Sequence, residues 1–455
     1  MGRLFGTDGA RGVANTEITC ELAMQIGRAA AMVLTENLAH RPRVLIGMDT
    51  RASGEMLEAA LTAGFCSVGA DVCLLGVVPT PAVAYLVTAY QYDAGVMISA
   101  SHNPCEYNGI KIFQSTGYKL PDALENEIEA IILDEIKTPP APIGGEVGRV
   151  SRAENAVSDY ITHLLSTTDV RCDGMKIALD CANGSASVSA RRVFESLGAE
   201  CVVIHDKPDG VNINLDCGST HLGALQKCVL ENGCDLGFAF DGDADRMLAV
   251  NHLGEEVDGD RAIAVCAKHM KQQGTLKKNT AVVTVMSNMG FFKFCEQNDI
   301  LCERTKVGDR YVLENMLENG YSIGGEQSGH IIFLDYATTG DGQLSAIQLL
   351  TVLKESGKTL KALADEMRVY PQVLYNVRVS NYGRVRFPDD KEIQTAIQSA
   401  EAELGDTGRV LVRASGTEPL VRVMLEGEDE EKIRTLGESI AEVVRERLVD
   451  RKSVV

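Results

Sequence analysis

Three carboxylates at alternate positions, Asp241, Asp243 and Asp245, follow the apolar run 236–240 and precede Arg246. Carboxylates spaced in this way where a strand gives way to a tight loop can converge on one hard cation, and an all-oxygen donor set selects Mg²⁺, Mn²⁺ or Ca²⁺ over zinc. A calcium-sensor loop is excluded, since it needs glycine at its sixth position and glutamate at its twelfth, where Arg246 and His252 stand. A solvated acidic turn is the plain alternative, and the abrupt exit from a buried-looking strand argues against it. A second segment, Ser99-Ala100-Ser101-His102-Asn103-Pro104, ends the apolar strand that begins at Gly95. A serine there is rigidly mounted and reachable, but free serine is a weak nucleophile that needs a base or must arrive already activated as a phosphoester. No G-x-S-x-G elbow surrounds either serine, so a hydrolase triad has little support. The bland reading is a strand-ending turn with His102 as a hydrogen-bonding neighbour, and residue types alone do not choose between Ser99 and Ser101.

Phosphoryl transfer is catalysed mainly by positioning and by neutralising charge on the transferring oxygens, which directs attention to nearby cations. Lys111 lies in a strand just after the serine segment, and Arg11 closes a glycine-rich opening that starts at Phe5; each is equally readable as a surface charge. Further on, Arg413-Ala414-Ser415-Gly416-Thr417-Glu418-Pro419 joins two strands, with Arg422 three residues later. Small residues there let backbone N–H groups approach an anion, the hydroxyls of Ser415 and Thr417 donate, and arginine grips phosphate bidentately. The segment reads as a phosphate cradle or, in the plain alternative, a satisfied β-hairpin. The glycine-rich stretch Gly324-Gly325-Glu326-Gln327-Ser328-Gly329-His330 offers carboxylate, hydroxyl and imidazole groups suited to sugar hydroxyls or an amine.

These segments must be carried by ordinary folded domains. The 455 residues include 64 acidic and 44 basic side chains, a net charge of −20. That balance argues against a duplex-binding role, which needs a basic face, and the length suits two to four domains. The 13 cysteines are scattered without zinc spacing and read as buried thiols of a reducing compartment. No signal peptide or 18-residue apolar run is present, so no membrane partner and a cytoplasmic location are expected. A strand, helix, strand pattern recurs three times, with first strands near residues 43, 176 and 281, which predicts three α/β domains with mostly parallel sheets. The Pro-rich stretch after Thr138 places a boundary near 150. Beyond Pro371 the order becomes strand (373–379), helix (391–404), two strands (409–412 and 421–425) and a final helix from 429, a smaller α+β domain.

In their order along the chain, Phe5-Gly6-Thr7-Asp8-Gly9, the Ser99 to Pro104 segment, the Asp241 to Arg246 loop, the Gly325 to His330 loop and the Arg413 to Pro419 segment resemble the α-D-phosphohexomutase superfamily. Within it the likeness is strongest to bacterial members acting on glucosamine phosphate. One departure, Cys105-Glu106-Tyr107 in place of an aromatic or Asp-rich stretch before Asn108-Gly109, flanks the motif and leaves it intact. The resemblance implies three related α/β domains with mixed or parallel sheets and a smaller C-terminal α+β domain around a central cleft. Residues 1–150 would carry the phosphoserine, 151–253 the metal loop, 254–368 the sugar-recognition loop and 369–455 the phosphate-binding domain. It selects Ser101 as the phosphorylated serine, with Lys111, Arg11 and His102 completing the catalytic group and without ranking Lys111 against Arg11. It gives Ser101, Asp241, Asp243 and Asp245 to Mg²⁺, and Arg246, Glu326, Ser328 and His330 to the sugar. Arg413, Ser415, Gly416, Thr417 and Arg422 would hold the distal phosphate.

The implied reaction interconverts glucosamine 6-phosphate and glucosamine 1-phosphate through a phosphoserine and a bound 1,6-bisphosphate that turns end for end. Glucosamine 1,6-bisphosphate or glucose 1,6-bisphosphate would be the activator, and closure of the last domain would exclude water. The partner is then a small hexosamine phosphate and not a nucleic acid; the oligomeric state is left open, a homodimer included. The rival substrates are glucose and mannose phosphates of the same superfamily, and the rival classes a metal-dependent phosphatase and a non-catalytic sugar-phosphate binder.

Overall fold

Runs in which every residue is apolar or glycine, such as Ala94–Ile98 and Leu236–Phe240, are buried along their whole length, the signature of strands covered on both faces. The computed structural model describes residues 2–6, 8–34, 39–415 and 419–448. One wiring recurs three times in it. The first copy runs Arg43–Met48, helix Ser53–Ser67, Asp71–Val77, helix Thr80–Ala89, Ala94–Ile98 and Tyr107–Gln114. The second runs Lys176–Asp180, helix Ala190–Ser196, Glu200–Ile204, helix Gly223–Asn232, Leu236–Phe240 and Met247–Asn251. The third runs Thr280–Thr284, helix Met289–Gln297, Leu301–Thr305, helix Asp309–Asn319, Ile323–Gly325 and Ile331–Phe333.

In each sheet the strands of a copy lie in the order fourth, third, first, second. The first three are mutually parallel, because helical crossovers join them. The fourth returns antiparallel beside the third after a short loop. The serine, aspartate and glycine-rich segments are those three short loops. Each chemistry-bearing segment therefore occupies the same topological position. The three first strands fall where the sequence pattern placed them; the antiparallel returns, which make the sheets mixed, add to that reading.

The first sheet is extended by Gly9–Val13, antiparallel to Tyr107–Gln114, and then by Phe5–Gly6. This puts Arg11 opposite Gly109 and sets the N-terminal segment beside the serine loop. In the C-terminal part, Gln372–Arg378, Leu420–Gly427 and Gly408–Ala414 form an antiparallel sheet in that order. Val421, Val423 and Leu425 on its inner face pack with Ile393 of helix Lys391–Leu404 and Ile433, Ile440 and Val444 of helix Glu430–Leu448. Contacts divide the chain into two compact units, one comprising Met1–Met286 and Asn298–Glu366, the other Ser287–Gln297 and the chain from Met367 onward. No helix among the described residues is long and apolar enough to cross a membrane.

The N-terminal strands are tied down by one side chain. Glu129, on helix Asp122–Leu133, accepts the backbone N–H groups of Arg3, Leu4 and Phe5, each at 2.7 Å. Burial works against its charge, yet these donors hold its carboxyl below the usual range. A group depressed in the folded state contributes stability above its unfolded pKa and loses it as pH falls through the folded value. Glu129→Gln is therefore expected to cost the N-terminal segment about 2–3 kcal/mol at neutral pH. Hydrogen exchange at Arg3, Leu4 and Phe5 reads this, and the difference from wild type should fade below the ordinary glutamate range.

Candidate active site

The serine loop begins where the parallel neighbours Arg43–Met48 and Ala94–Ile98 end together, Met48 opposite Ile98. Ser99 is wholly buried; its Oγ donates to Asp49 Oδ2 at 2.6 Å and accepts the backbone N–H of Ser101 at 2.9 Å. Ser101 Oγ instead donates to Asp241 Oδ2 at 2.5 Å and lies 3.4 Å from His102 Nδ1. Ser99 is thus a support, and Ser101 is the serine that faces the carboxylates. Ser101 has φ of +53°, a left-handed conformation that non-glycine residues seldom adopt. Asp49 also binds the buried Arg51, Nε to Oδ2 at 2.9 Å, and Arg51 donates to the carbonyl oxygens of Ser101, Asn103 and Pro104. Sequence reasoning missed Asp49 and Arg51. The signal available was their place at the same strand end as the serine loop.

Across the loop from Ser101, Asp241, Asp243 and Asp245 are all buried and bring carboxylate oxygens within 4.8 Å of one another. Lys111, only 1% exposed, sets its Nζ 2.8 Å from Asp243, 3.0 Å from Asp8 and 3.6 Å from Asp245. Burial opposes its charge, but Asp243, Asp8 and Asp245 outweigh that and raise its pKa well above the usual value. Burial, reinforced by Asp245 and Asp243, pushes Asp241 well above the usual carboxylate range. Asp243 Oδ2 also accepts Thr80 Oγ1 at 2.6 Å, whereas the Oδ1 atoms of Asp243 and Asp245 are buried without a hydrogen-bond partner. Acceptors left bare in this way are costly, and a cation relieves them. The all-oxygen, densely anionic donor set fits Mg²⁺.

The ammonium and carboxylate groups continue as a chain. Lys119 Nζ bridges Asp8 at 2.5 Å and Asp309 at 2.6 Å. Asp309 lies 3.7 Å from His330 Nε2, and His330 Nδ1 lies 3.6 Å from Asp245. The backbone N–H of Gly340 donates to Nε2, which leaves Nδ1 as the proton-bearing nitrogen. His330 is therefore buried against the aspartate loop, while Ser328, on the same turn, is exposed. Glu326 Oε1 accepts the N–H of Gly308 at 3.1 Å. Arg246 is kept charged against burial by Asp245, Asp241 and Glu326. Arg11 donates to Asp8 at 2.6 Å. Burial, with Arg246 and Arg11 nearby, lowers His102 to about 4. Lys119 and Asp309 went unnoticed in the sequence, where single charges carry no spacing signal. A cavity of about 270 Å³ touches Lys111, Lys119, Asp309 and His330, but neither Ser101 nor the three aspartates line it.

In the C-terminal unit, Arg413 and Arg422 stand directly opposite each other on adjacent antiparallel strands. Like charges so placed repel, and burial together with Arg422 lowers the pKa of Arg413. Such a pair is suited to an anion. Ser415 is buried at the end of the first strand, its N–H donating to Leu420 O at 2.8 Å. Gly416 and Thr417 lie outside the described residues. One further group, Asp180, His205 and Cys217, also brings ligand atoms within 4.8 Å, which linear spacing did not reveal. Asp180 there accepts the N–H groups of Ala182 and Gly218, anchoring loops of the second copy.

The site thus sets the Ser101 hydroxyl beside an acidic, metal-type loop on three repeats of one α/β wiring. Four domain families match in order: phosphoglucomutase/phosphomannomutase alpha/beta/alpha domain I over residues 2–138, domain II over 158–254, domain III over 258–370 and the C-terminal domain over 374–443. The chain belongs to the phosphoglucomutase/phosphomannomutase family. It is 55% identical over 447 residues to the phosphoglucosamine mutase of Clostridium novyi, covering 98% of this chain and 99% of that one. The phosphoglucosamine mutase of Clostridium acetobutylicum is 56% identical over 447 residues, 98% and 100% of the two chains. Among solved structures, a phosphoglucomutase/phosphomannomutase family protein from Burkholderia thailandensis has the same fold, with a TM-score of 0.82, 22% identity and 98% of each chain covered. The N-acetylphosphoglucosamine mutase of Aspergillus fumigatus, solved with GlcNAc-6P and magnesium, gives a TM-score of 0.67 at 17% identity over 99% of this chain and 96% of that one.

Lys111 is what keeps Asp8, Asp243 and Asp245 together in the absence of other cations. Lys111→Met is expected to destabilise the first unit by about 3–5 kcal/mol, because it takes from the buried Asp243 and Asp245 the ammonium they share. Thermal unfolding reads the loss, and added Mg²⁺ should restore part of it; an unchanged transition would show the cluster to be solvated.

Proposed function

We propose that the protein acts as a phosphoglucosamine mutase, interconverting glucosamine 6-phosphate and glucosamine 1-phosphate with Ser101 as the phosphoryl carrier. The observation that carries this reading is the 2.5 Å contact of Ser101 Oγ with Asp241 at the edge of the buried aspartate group. The amino-sugar assignment is supported by the Clostridium relatives, matched from end to end.

In the forward direction, the C1 hydroxyl of glucosamine 6-phosphate attacks the phosphorus of phosphorylated Ser101. A new C1–O–P bond forms, the bond between phosphorus and Ser101 Oγ breaks, and the proton of the C1 hydroxyl ends on Ser101 Oγ. The bound 1,6-bisphosphate then turns end for end. Ser101 Oγ attacks the phosphorus of the 6-phosphate, the bond between that phosphorus and O6 breaks, and the serine proton passes to O6, regenerating the phosphoserine and releasing glucosamine 1-phosphate. Asp241, Asp243 and Asp245, with the phosphorylated Ser101, would hold Mg²⁺, which when bound neutralises charge on the transferring phosphoryl oxygens.

Lys111 and Arg11 add fixed positive charge at this edge, and His102 flanks Ser101. Arg246, Glu326, Ser328 and His330 form the sugar-recognising group, Glu326 and Ser328 at its open side and His330 behind them. A sugar bisphosphate also needs a second anion site, for which the chain offers Arg413, Ser415 and Arg422, with Gly416 and Thr417 in the same segment. On this reading residues 1–150 carry the phosphoserine, 151–253 the metal loop, 254–368 the sugar loop and 369–455 the distal phosphate site. Glucosamine 1,6-bisphosphate or glucose 1,6-bisphosphate acts as activator, and the enzyme works in the cytoplasm.

The test is the rate of 1-phosphate formation from glucosamine, glucose and mannose 6-phosphates at equal concentration, with Mg²⁺ and catalytic sugar bisphosphate. Glucosamine 6-phosphate should be turned over fastest. Faster turnover of glucose or mannose 6-phosphate would keep the mutase chemistry and overturn the amino-sugar assignment, and phosphate release without isomer would make the protein a phosphatase.

A further inference from the structure

Ser101, with φ of +53°, sits in a left-handed backbone conformation that is strained for a non-glycine residue and persists only when its surroundings over-determine it. Its own domain supplies one restraint. Arg51 Nη2 donates to the carbonyl oxygens of Ser101 and of Asn103, each at 2.8 Å. The second restraint comes from the second α/β copy. Asn214 Nδ2 donates to the same two oxygens, at 2.9 Å to Ser101 and 3.0 Å to Asn103. Each carbonyl thus receives two donors, one from each domain, which fills both of its lone pairs.

Asn214 is itself fixed for this task. It is buried, has φ of +58°, and its backbone N–H donates to Ala182 O at 2.9 Å. The segment that holds Arg51 docks on the same part of the second copy: Thr50 Oγ1 donates to Asn183 O at 2.6 Å and the Ala52 N–H to Gly210 O at 2.9 Å. The aspartate loop closes the third side. A Cβ on Gly242 would fall 2.6 Å from Ser101 O and 2.8 Å from Asn214 Nδ2, so only glycine lets these three chains meet.

From this convergence we infer that Asn214 is a positioning residue for phosphoryl transfer: it clamps the serine-loop carbonyls from the second domain and so holds Ser101 in the left-handed conformation that aims Oγ at Asp241. The inference rests on the reading of Ser101 as phosphoryl carrier. The Asn214 Nδ2 donor is spent on the two loop carbonyls. It acts through the serine's backbone, and its loss should be felt in the reacting geometry rather than in substrate affinity.

Two variants of the full-length, Mg²⁺-loaded enzyme test it. Asn214→Ala removes the donor, and Asn214→Asp keeps the shape and the left-handed preference while turning a donor into an acceptor beside two carbonyl oxygens. Misplacement of a reacting atom costs on the order of 10²-fold in rate, so kcat for Asn214→Ala should fall by about that factor. The sugar-phosphate KM should move less than about threefold, as for an interaction made only in the transition state. Asn214→Asp should be slower still, and phosphate released to water per isomerisation should rise in both. Should the Asp variant fail to fold, the Ala variant decides alone. Unchanged kcat, or a lowered melting temperature with wild-type kcat, overturns the inference. Absence of turnover in the wild type would instead remove the functional reading, so the two failures are distinguishable.

Discussion

Charge balance at one buried point organises the catalytic end of the first unit. Asp8, Asp243 and Asp245 all lie within 3.6 Å of the Lys111 ammonium, and Lys119 ties Asp8 to Asp309. No carboxylate of this set is tolerable there alone, since a buried charge without a partner neutralises itself or destabilises the fold. The groups come from distant parts of the chain: the N-terminal segment, the strand after the serine loop, the aspartate loop and the helix Asp309–Asn319. Their mutual need is therefore also what draws the three α/β copies together at this spot. The Oδ1 atoms of Asp243 and Asp245 accept no hydrogen bond, and one more positive charge there would relieve them.

The repeated wiring explains why the loops can meet. In each copy the loop between the third strand and its antiparallel return leaves the same end of the sheet, and each copy has specialised that loop differently. Ligand sites of open α/β sheets gather at such strand ends. The serine loop carries the Ser101 hydroxyl that meets Asp241, the aspartate loop the negative charge, and the glycine-rich loop the exposed Ser328 together with the inward His330. Paired strands of mostly buried residues flank each loop, which suits chemistry that depends on placement.

Much of this was legible in the sequence because it is local. Strands such as Leu236–Phe240 announce themselves by unbroken apolar runs, and Asp241, Asp243 and Asp245 by their alternate spacing. The choice between Ser99 and Ser101 was not legible from residue types; it depends on which hydroxyl the backbone turns toward Asp49 and which toward Asp241. Arg51 and Asn214 were invisible for a related reason. Each acts on carbonyl oxygens 50 or more residues away, and a backbone acceptor leaves no trace in the side-chain pattern. The facing pair Arg413 and Arg422 lay between these cases, visible as charges but not as cross-strand neighbours until the register was known.

The account stands on Ser101 as the atom that carries the phosphoryl group. Its most direct measurement is peptide mass spectrometry of dephosphorylated enzyme after brief exposure to Mg²⁺ and glucose 1,6-bisphosphate, with wild type and Ser101→Ala in parallel. One phosphoryl group should appear per wild-type chain, on Ser101 and not on Ser99, and none should appear in Ser101→Ala, which should be folded and without turnover. Phosphate on another residue, or isomerase activity retained by Ser101→Ala, would contradict it.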